Sequence, residues 1–432
     1  MKKAIVVGSG AGGATVAKEL QGNYQVTICE AGKEFRPFSW NLEFLELVKK
    51  TGLLIDEREI SLLFPAMRIQ KTTEKMILVK GICTGGTTNL ATGNAFRADQ
   101  DLKDIGIDLN DEFAEIHEEI PITLDHRHLW WQTTKEIFKV FQDMNLNPEP
   151  MPKMGYYGRC HRCGRCVMGC PSGTKWDSRH FLREAMAKGA KLITKCRVTK
   201  VVIENGEAIG VEANHRLRSR FFPADLVVLS AGGFGTPPIL QNSGLECEPN
   251  LFVDPVLCVA AEWHRYFQNH EIPMPFAAQQ EHFCLSPYFD HLSYFFNRNW
   301  KYPARNILSL MIKLSDTNSG YVSPRSVDKE LSDLDKERLK DAVTLCQDIF
   351  EHLGIDREKT FLGTVNAGHP GGMLPLRKTE AETLHRSELP PNCYVADATL
   401  FPKSLGSPPI LTIIALAKRV AKICLDACPN PR

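Results

Sequence analysis

Four cysteines lie close together in the sequence at a spacing that suits a metal cluster. They are Cys160, Cys163, Cys166 and Cys170, and Pro171 follows, which gives the pattern C-x2-C-x2-C-x3-C-P. Gaps of two residues let successive thiolates bind separate corners of one cuboidal cluster, while the backbone amides of so short a loop turn toward the sulfurs. The spacing therefore predicts an iron–sulfur loop that binds a [4Fe–4S] cluster.

The sequence leaves the metal and the fourth ligand open. In two-cluster ferredoxins the last cysteine of such a run serves the other cluster, so Cys196 could complete the set while Cys170 stays free. Four thiolates also satisfy tetrahedral zinc, although zinc sites usually have C-x2-C pairs separated by longer loops. Unliganded thiols are the third interpretation. Four of the fourteen cysteines are grouped within eleven positions. In a reducing compartment such grouped thiols are more often metal ligands than disulfides.

A glycine-rich turn near the N-terminus has the spacing of a dinucleotide-binding site. Gly8, Gly10 and Gly13 form G-x-G-x-x-G between the strand AIVVG and the helix ATVAKELQG. Gly8 permits the tight turn, Gly10 lets the backbone approach a pyrophosphate, and Gly13 allows close packing of helix and strand. Glu30 ends the next strand, QVTICE, where its carboxylate can accept hydrogen bonds from ribose hydroxyls. The unit predicts a bound dinucleotide, without separating FAD from NAD.

Composition and charge exclude several classes of partner. The 432 residues are 43% hydrophobic and 24% charged, as in an ordinary globular protein. Lysine and arginine total 52 against 51 acidic residues, so no net charge favours nucleic acid or an anionic membrane. The first apolar run is interrupted by glycines, unlike a signal peptide, and no run reaches the length of a membrane span. We expect a cytoplasmic protein.

The elements that position these motifs predict an α/β fold with a discontinuous nucleotide-binding domain. A doubly wound βαβ unit opens the chain, and LVVLSAGG, NCYVADATLFP and ILTIIALAKRVAKIC are expected to extend it. Alternating apolar positions in 251–325 predict an antiparallel sheet in a second, α+β domain. The sequence SDLDKERLKDAVTLCQDIFEHLG predicts a long helix that begins after a serine cap and ends at Gly354.

The expected domain boundaries follow from these elements. We assign residues 1–100, 185–250 and 386–432 to the nucleotide-binding domain, 101–150 and 251–385 to the substrate domain, and 151–184 to the cysteine-rich iron–sulfur segment.

Four segments in order along the chain resemble the glucose-methanol-choline (GMC) oxidoreductases, and within them the cholesterol-oxidase-like branch. They are AIVVGSGAGGATVAKEL with a following EAG, GICTGGTTNLATGNAFR, SAGGFGTPPILQNSG, and AGHPGG with YVADATLFPKSLGSPPILTIIALAKRVA. The resemblance extends over nearly the whole chain. It implies FAD in the nucleotide-binding domain, a substrate domain built on an antiparallel sheet, and oxidation of a CH–OH group by hydride transfer to the flavin.

The resemblance also implies which residues contact FAD. Gly85, Gly86, Thr87 and Asn89 would lie against the flavin, and Asp397 would bind the ribityl–phosphate region. The backbone of Val198 would meet the adenine. Further cofactor contacts are implied at Ala231, in the third segment, and at Thr412, in the last.

His369 matches the active-site histidine of the family. A neutral imidazole can accept the hydroxyl proton that an alcohol loses as its hydride leaves. The family places a second histidine or an asparagine before a proline of the C-terminal loop, whereas this chain has Pro408 there, in Gly406-Ser407-Pro408-Pro409. Proline has no side-chain donor or acceptor, so we expect Ser407 or a residue from elsewhere to act in its place.

Three functional hypotheses follow. The first is an FAD-dependent dehydrogenase for a small-molecule alcohol or polyol, whose electrons pass through the cluster to a ferredoxin-like or other protein acceptor. The second reverses the flow, from an external donor to a C=C or C=O bond, and Pro408 favours it slightly. The third is an electron-transfer subunit of a larger complex, without its own substrate. An open apolar cavity beside His369 would favour an enzyme.

Overall fold

The computed structural model describes residues 1–52, 54, 56–72, 74–216 and 218–427. The end of the predicted nucleotide-binding domain, 428–432, thus lies outside the described residues. In the described part of the chain the strands are β1 Lys3–Val7, β2 Gln25–Cys29, β3 Met67–Lys71, β4 Ile77–Gly81, β5 Ile122–Thr123, β6 Glu149–Pro150, β7 Lys153–Met154, β8 Lys191–Ile193, β9 Cys196–Glu204, β10 Glu207–His215, β11 Arg218–Pro223, β12 Leu226–Leu229, β13 Val256–Glu262, β14 Phe276–Gln279, β15 Phe283–Pro287, β16 Ile307–Leu314, β17 Tyr321–Val322, β18 Val327–Asp328, β19 Thr360–Leu362, β20 Asn366–Ala367 and β21 Cys393–Val395. The α-helices are α1 Ala11–Leu20, α2 Leu42–Lys50, α3 Ile60–Leu63, α4 Gln100–Asp104, α5 Asn110–Glu119, α6 Gln132–Asp143, α7 Arg179–Ala187, α8 Thr236–Asn242, α9 His291–Phe296, α10 Asp333–His352 and α11 Ile410–Asp426.

A parallel sheet with the order β21-β12-β1-β2-β8 forms the nucleotide-binding half. Its strands are short apolar runs, as expected where both faces of a parallel sheet are covered. Helix α1 connects β1 to β2 and packs against α7 and α11, while the antiparallel sheet β11-β10-β9 packs against β2 and β12. The predicted βαβ unit and the discontinuity of the sheet are therefore present, with an added antiparallel layer that the sequence did not indicate.

A mixed sheet of nine strands forms the other half. Its order is β3-β4-β20-β13-β16-β15-β14-β6, with β19 also paired to β13. Strands β13 to β16 pair antiparallel, which confirms the antiparallel sheet predicted for 251–325. Strands β3 and β4 join this sheet, although our boundaries put them in the nucleotide-binding domain.

Helix α10 covers the nine-stranded sheet and confirms the predicted long helix. Ser332 accepts a hydrogen bond from the Asp335 backbone N–H at 3.1 Å, and the Asp335 carboxylate accepts one from Ser332 N, which forms a capping box. Gly354 takes the left-handed conformation (φ +80°) just beyond the helix. Ala342, Cys346, Ile349 and Phe350 face the sheet and are fully buried.

No helix in the described ranges combines the length and apolar character needed to cross a lipid bilayer.

We predict that Ser332→Ala lowers the free energy of unfolding by about 1 kcal/mol, because the first turn of α10 loses its side-chain acceptor. Thr344→Ala in the exposed middle of the same helix is the matched control and should be neutral or slightly stabilising, since alanine is the best helix former. Urea unfolding followed by circular dichroism measures both. Equal effects of the two substitutions would contradict the capping role.

Candidate active site

One cavity of about 1000 Å³ runs between the two halves of the protein. Its size is at the upper end of ligand pockets and suits a dinucleotide together with a substrate. Residues of the predicted nucleotide site, His369 and the cysteine loop all contribute to its walls. Of the predicted site residues, those that line it are Gly8, Gly10, Glu30, Gly86, Thr87, Val198, Ala231, His369 and Asp397.

The glycine turn has the geometry that a pyrophosphate requires. Gly8 has φ +95°, and a Cβ there would lie 2.3 Å from the Ser230 carbonyl oxygen. A Cβ on Gly13 would lie 2.1 Å from Gly8 O, so the close packing of α1 on β1 needs glycine. At Gly10, by contrast, a Cβ would meet no atom within 4 Å, because this residue faces the cavity at the N-terminus of α1. The free space and the helix N-terminus together suit an anion.

Glu30 is held in place at the end of β2. Its Oε2 accepts hydrogen bonds from Ser9 N at 3.1 Å and Ser9 Oγ at 2.6 Å, and its Oε1 accepts one from Gly32 N at 2.6 Å. Burial raises the pKa of Glu30, against the opposite effect of these hydrogen bonds. The carboxylate is thus oriented at the cavity wall, where it can receive ribose hydroxyls.

A second glycine turn packs directly against the first. Gly85 and Gly86 have φ +88° and +54°, and a Cβ on Gly86 would lie 2.9 Å from Gly10 Cα. Gly86 and Thr87 line the cavity. Asn89 does not, and instead fastens the turn by donating to Thr84 O at 2.9 Å and Gly86 O at 3.2 Å.

Of the remaining predicted cofactor residues, three line the cavity and one lies outside its wall. Val198 and Ala231 line the cavity. Asp397 lines it too, and accepts from Gly232 N at 2.8 Å and Thr236 Oγ1 at 2.6 Å, while burial raises its pKa. Thr412 lies outside the cavity wall, where its hydroxyl donates to Ala98 O at 3.0 Å.

Polar groups that the sequence did not single out complete the nucleotide half. Lys80 and Arg197 line the cavity and bring positive charge to it. Burial, with the nearby Arg197, lowers the pKa of Lys80 to about 8. Ser230 Oγ is buried in the same wall without a hydrogen-bond partner among the described residues. Cations and an unpaired hydroxyl beside an open glycine turn fit a bound FAD.

His369, whose side chain is 27% exposed, lies next to a fully buried pair of ionisable side chains. Its Nδ1 lies 3.5 Å from Asp254 Oδ2, and the same oxygen is ion-paired with Lys313 Nζ. Lys313 and Asp254 are 1% and 0% exposed. Sheet register brings them together, because Val256 on β13 pairs with Lys313 on β16 on one side and with Asn366 on β20 on the other.

The electrostatics of this group keep the histidine neutral. Burial lowers the pKa of His369 and the Lys313 charge lowers it further, while Asp254 acts in the opposite direction. Burial opposes ionisation of Asp254, yet Lys313 and His369 together lower its pKa to about 2. At neutral pH the group therefore holds a carboxylate and a neutral imidazole that can accept a proton at Nε2.

Asp254 is fixed from its other side. Ser404 Oγ donates to Oδ1, and Gly406 N approaches the same oxygen at 3.4 Å. Its backbone is left-handed (φ +50°), and its N–H donates to Asp316 Oδ1 at 2.8 Å. Asp316 is paired in turn with Lys329 at 2.7 Å. Sequence reasoning missed Asp254 and Lys313, and a lone lysine in the apolar run ILSLMIKL was the available signal.

The C-terminal loop does not bring Ser407 to the cavity, where we expected it to act in place of the family's second histidine or asparagine. Pro408 and Pro409 line the cavity, whereas Ser407, which is 4% exposed, lies behind the wall. The structure therefore brings His369 to the cavity without Ser407.

The four cysteines of the loop lie near one another with free thiols. Burial raises the pKa of Cys160, and Cys163 and Cys170 raise it further by their charge. Burial also raises the pKa of Cys166 to about 12, and Cys160 and Cys170 add to this. No group of three or more His, Cys, Asp or Glu side chains in the described ranges is arranged to hold a metal ion.

Two buried lysines flank this loop without a carboxylate within ion-pair distance among the described residues. Lys153 is 0% exposed and donates to Asn94 Oδ1 and Pro273 O, the latter at 2.8 Å. Lys175 is 2% exposed and donates only to backbone oxygens, namely those of Thr88, Asn89, Ala91 and Cys166 at 2.6–3.1 Å. Buried ammonium ions normally need an opposite charge nearby.

The loop borders the cavity directly. Val167 and Met168, between the third and fourth cysteines, line it. Cys166 acts electrostatically on Tyr288, another lining residue, whose pKa burial raises. Cys196, the alternative fourth ligand, is buried in the nucleotide wall instead, hydrogen-bonded to Cys29. The run Cys160 to Cys170 is thus separate from Cys196, and it is not arranged as a metal site among the described residues.

Comparison with known proteins decides the family. The family model described as GMC oxidoreductase matches residues 3–257, which is more than half of the chain. The chain belongs to the GMC oxidoreductases. Membership makes it an FAD-dependent oxidoreductase, in a class that acts on CH–OH donors.

Relatives match either nearly the whole chain or a little more than half of it. An uncharacterised protein of Methanocaldococcus jannaschii is 27% identical over 96% of this chain and 98% of its own length. An uncharacterised GMC-type oxidoreductase of Mycobacterium tuberculosis is 27% identical over 57% of this chain but 40% of that protein. A long-chain-alcohol oxidase of Arabidopsis thaliana is 26% identical over 57% of this chain and 35% of its own length.

Solved structures share the fold. Pyridoxine 4-oxidase from Mesorbium loti has a TM-score of 0.74 at 16% identity, covering 98% of this chain and 99% of its own. An Aspergillus oryzae formate oxidase variant has a TM-score of 0.71 at 13% identity, covering 99% and 98%.

We predict that Gly10→Val abolishes FAD binding while the protein still folds. The backbone at Gly10 (φ −72°) accepts any residue, but the new side chain would occupy the space next to the N-terminus of α1. The FAD content of the purified protein should fall more than about tenfold.

Gly158→Val is the control, because a Cβ there also meets no atom within 4 Å yet the residue lies outside the cavity wall. Full FAD content in Gly10→Val would show that the pyrophosphate lies elsewhere.

Proposed function

We propose that this GMC oxidoreductase is a dehydrogenase that oxidises a CH–OH group by hydride transfer to FAD and passes the electrons through a [4Fe–4S] cluster to a protein acceptor. One observation carries the proposal: the glycine turn, His369 and the Val167–Met168 part of the cysteine loop line the same cavity. An open cavity beside His369 also counts against an electron-transfer subunit without a substrate.

FAD would be held by the residues already described. The glycine turn and the N-terminus of α1 would bind the pyrophosphate, Glu30 the ribose, and the turn at Gly86 and Thr87 the flavin. When bound, the flavin supplies the acceptor for a hydride. We assign these FAD-binding roles because the residues line one cavity.

His369 would accept the hydroxyl proton. It is neutral at pH 7, its Nδ1 faces Asp254, and Nε2 is left for the substrate oxygen. The Asp254 carboxylate lies 3.5 Å from Nδ1 and would stabilise the imidazolium that forms. His369 would thus remove the proton while the hydride leaves the adjacent carbon.

The walls favour an apolar substrate. Within the described part of segment 38–69, every side chain that lines the cavity is apolar: Phe38, Leu45, Leu54, Ile60, Leu63, Phe64, Met67 and Ile69. Phe295 and Phe296 of α9 continue this surface. Such a pocket binds alcohols by hydrophobic contact, with specificity left to the few polar groups. We therefore propose an apolar alcohol, in keeping with the long-chain-alcohol oxidase among the relatives.

The cysteine loop fits a cluster through its charge as well as its spacing. Four thiolates around a [4Fe–4S] core form an anionic centre, which would supply one-electron chemistry. Lys153 and Lys175 would balance the negative charge of this centre. The centre would in turn be the anionic partner that these two lysines lack among the described side chains. A four-thiolate zinc site would be anionic as well, so the metal itself must be identified by analysis.

The acceptor would dock at the exposed side of the loop. Tyr156, Arg159 and His161 are exposed there, and Arg162 stacks on the ring of Trp131 at 4.1 Å. A basic, aromatic surface suits an acidic electron carrier such as a ferredoxin. Free thiols and a cluster suit a reducing compartment, which supports a cytoplasmic location. The cholesterol-oxidase-like branch remains a prediction.

We predict that His369→Gln slows reduction of bound FAD by an apolar alcohol roughly 10²- to 10⁴-fold. In the wild type the rate should be constant at pH 7–8 and fall only below about pH 6.5. The sign follows from the lowered pKa: a base with a depressed pKa stays unprotonated to lower pH and is lost as pH falls through that value.

Anaerobic stopped-flow measurement of flavin absorbance across pH tests this. A rate that rises on acidification, or one that is insensitive to His369→Gln, would exclude the histidine as the base.

We predict about four iron atoms and four sulfides per chain in protein purified without oxygen. Cys163→Ser should lose them, whereas Cys247→Ser, a partly exposed cysteine outside the run, should keep them. Iron and sulfide analysis with electron paramagnetic resonance during dithionite titration measures this. Bleaching of the flavin with no iron signal would remove the cluster from the proposal.

A further inference from the structure

Lys313 brings a charged side chain to the cavity wall, to which Pro408 of the C-terminal loop adds no polar side-chain group. It projects from the middle of the nine-stranded sheet into the cavity, on the same face of β16 as Met311. The neighbours on the opposite face, Leu310 and Ile312, belong to the apolar core under α10. Every residue of β16 is buried, so a lysine there needs a specific reason.

The Asp254 carboxylate does not use all the donors of Lys313. The ammonium has three N–H groups. Its only hydrogen bond among the described residues is to Asp254 Oδ2. Lys329 offers a direct comparison within the same half of the protein, because its ammonium contacts Asp316 and also donates to Leu251 O, Thr317 O and Ser319 O at 2.7–3.1 Å. Lys329 is fully satisfied and lies outside the cavity wall, whereas Lys313 makes one hydrogen bond among the described residues and belongs to the cavity wall.

We infer that Lys313 is a second catalytic residue, whose ammonium donates a hydrogen bond to the substrate oxygen opposite His369; this rests on the proposed alcohol oxidation. Both side chains share Asp254 Oδ2, which fixes their positions relative to each other. Pro408 contributes only an apolar ring to the same cavity.

The reaction balances with these groups. The C–H and O–H bonds of the alcohol break and a C=O bond forms. The hydride with its electron pair goes to FAD, and the proton goes to His369 Nε2. As the proton leaves, negative charge develops on the oxygen, where a fixed ammonium in a water-poor site stabilises it more than it stabilises the neutral alcohol.

The test compares an oxyanion with a neutral ligand of the same chain length that has no CH–OH group to oxidise. Binding of hexanoate and of hexanamide to the oxidised holoenzyme is followed by the change in flavin absorbance. Lys313→Gln keeps a donor for Asp254 but removes the charge, and should weaken hexanoate binding roughly 10- to 100-fold, with less than about a threefold change for hexanamide. Lys313→Arg keeps the charge and should retain most of the hexanoate affinity.

Lys313→Met is the second uncharged variant if Lys313→Gln folds poorly, and Lys329→Met is the matched control. Lys313→Met and Lys329→Met each leave a buried carboxylate without its lysine, so each should lower the thermal unfolding temperature. Only the uncharged Lys313 variants should lose the preference for hexanoate. Equal loss of both ligands in Lys313→Gln would overturn the inference. So would a wild type that does not bind hexanoate, or a loss of preference in folded Lys329→Met.

The same samples separate this inference from the proposed function. Anaerobic mixing with primary and secondary apolar alcohols should reduce the flavin of the wild type, and Lys313→Gln should slow this about 10²- to 10³-fold. If no alcohol reduces the flavin while the hexanoate preference depends on Lys313, the alcohol oxidation fails and the ammonium is still a ligand for an oxyanion.

Discussion

A buried lysine needs either an opposite charge or a full set of oxygen acceptors, and four of the five lysines buried in the described residues lie in the cavity wall, beside it or beside the cysteine loop. Lys313 and Lys329 have carboxylate partners, Asp254 and Asp316, which are linked through the backbone N–H of Asp254. Lys153 and Lys175 have only amide and carbonyl oxygens among the described residues. Lys313 lines the cavity together with His369, whereas Lys153 and Lys175 lie near the thiols of the cysteine loop.

The route of the chain explains how the cysteine loop comes to border the cavity. The parallel sheet takes strands from the start, the middle and the end of the sequence, and the cysteine run is inserted between β7 and α7. The loop is anchored on one side by Phe38, whose N–H donates to Met168 O at 3.0 Å, and on the other by Gly164, whose carbonyl meets His291 Nε2 at 3.2 Å. Both halves of the protein therefore hold the loop against the cavity.

Much of this could be predicted from the sequence, because the signals were local. The glycine turn, the acid at the end of β2, the serine cap of α10 and the alternation in β13 to β16 each depend on neighbours within a few residues. Lys313 and Asp254 could not be paired in this way, since they are joined only by the register of β13 on β16. Strand β4 gave no sign of pairing with β20, almost 290 residues later in the chain. The position of Ser407 behind the wall depends likewise on the bend at Gly406 and Ser407.

Part of the cavity wall is tied to one buried ammonium. The carbonyls of Thr88, Asn89 and Ala91 all accept hydrogen bonds from Lys175, which does not itself line the cavity, whereas Thr88 and Ala91 do. Because the three carbonyls share a single donor group, loss of that group would leave them unsatisfied together. The shape of this part of the cavity therefore depends on one side chain that no ligand in the cavity needs to touch.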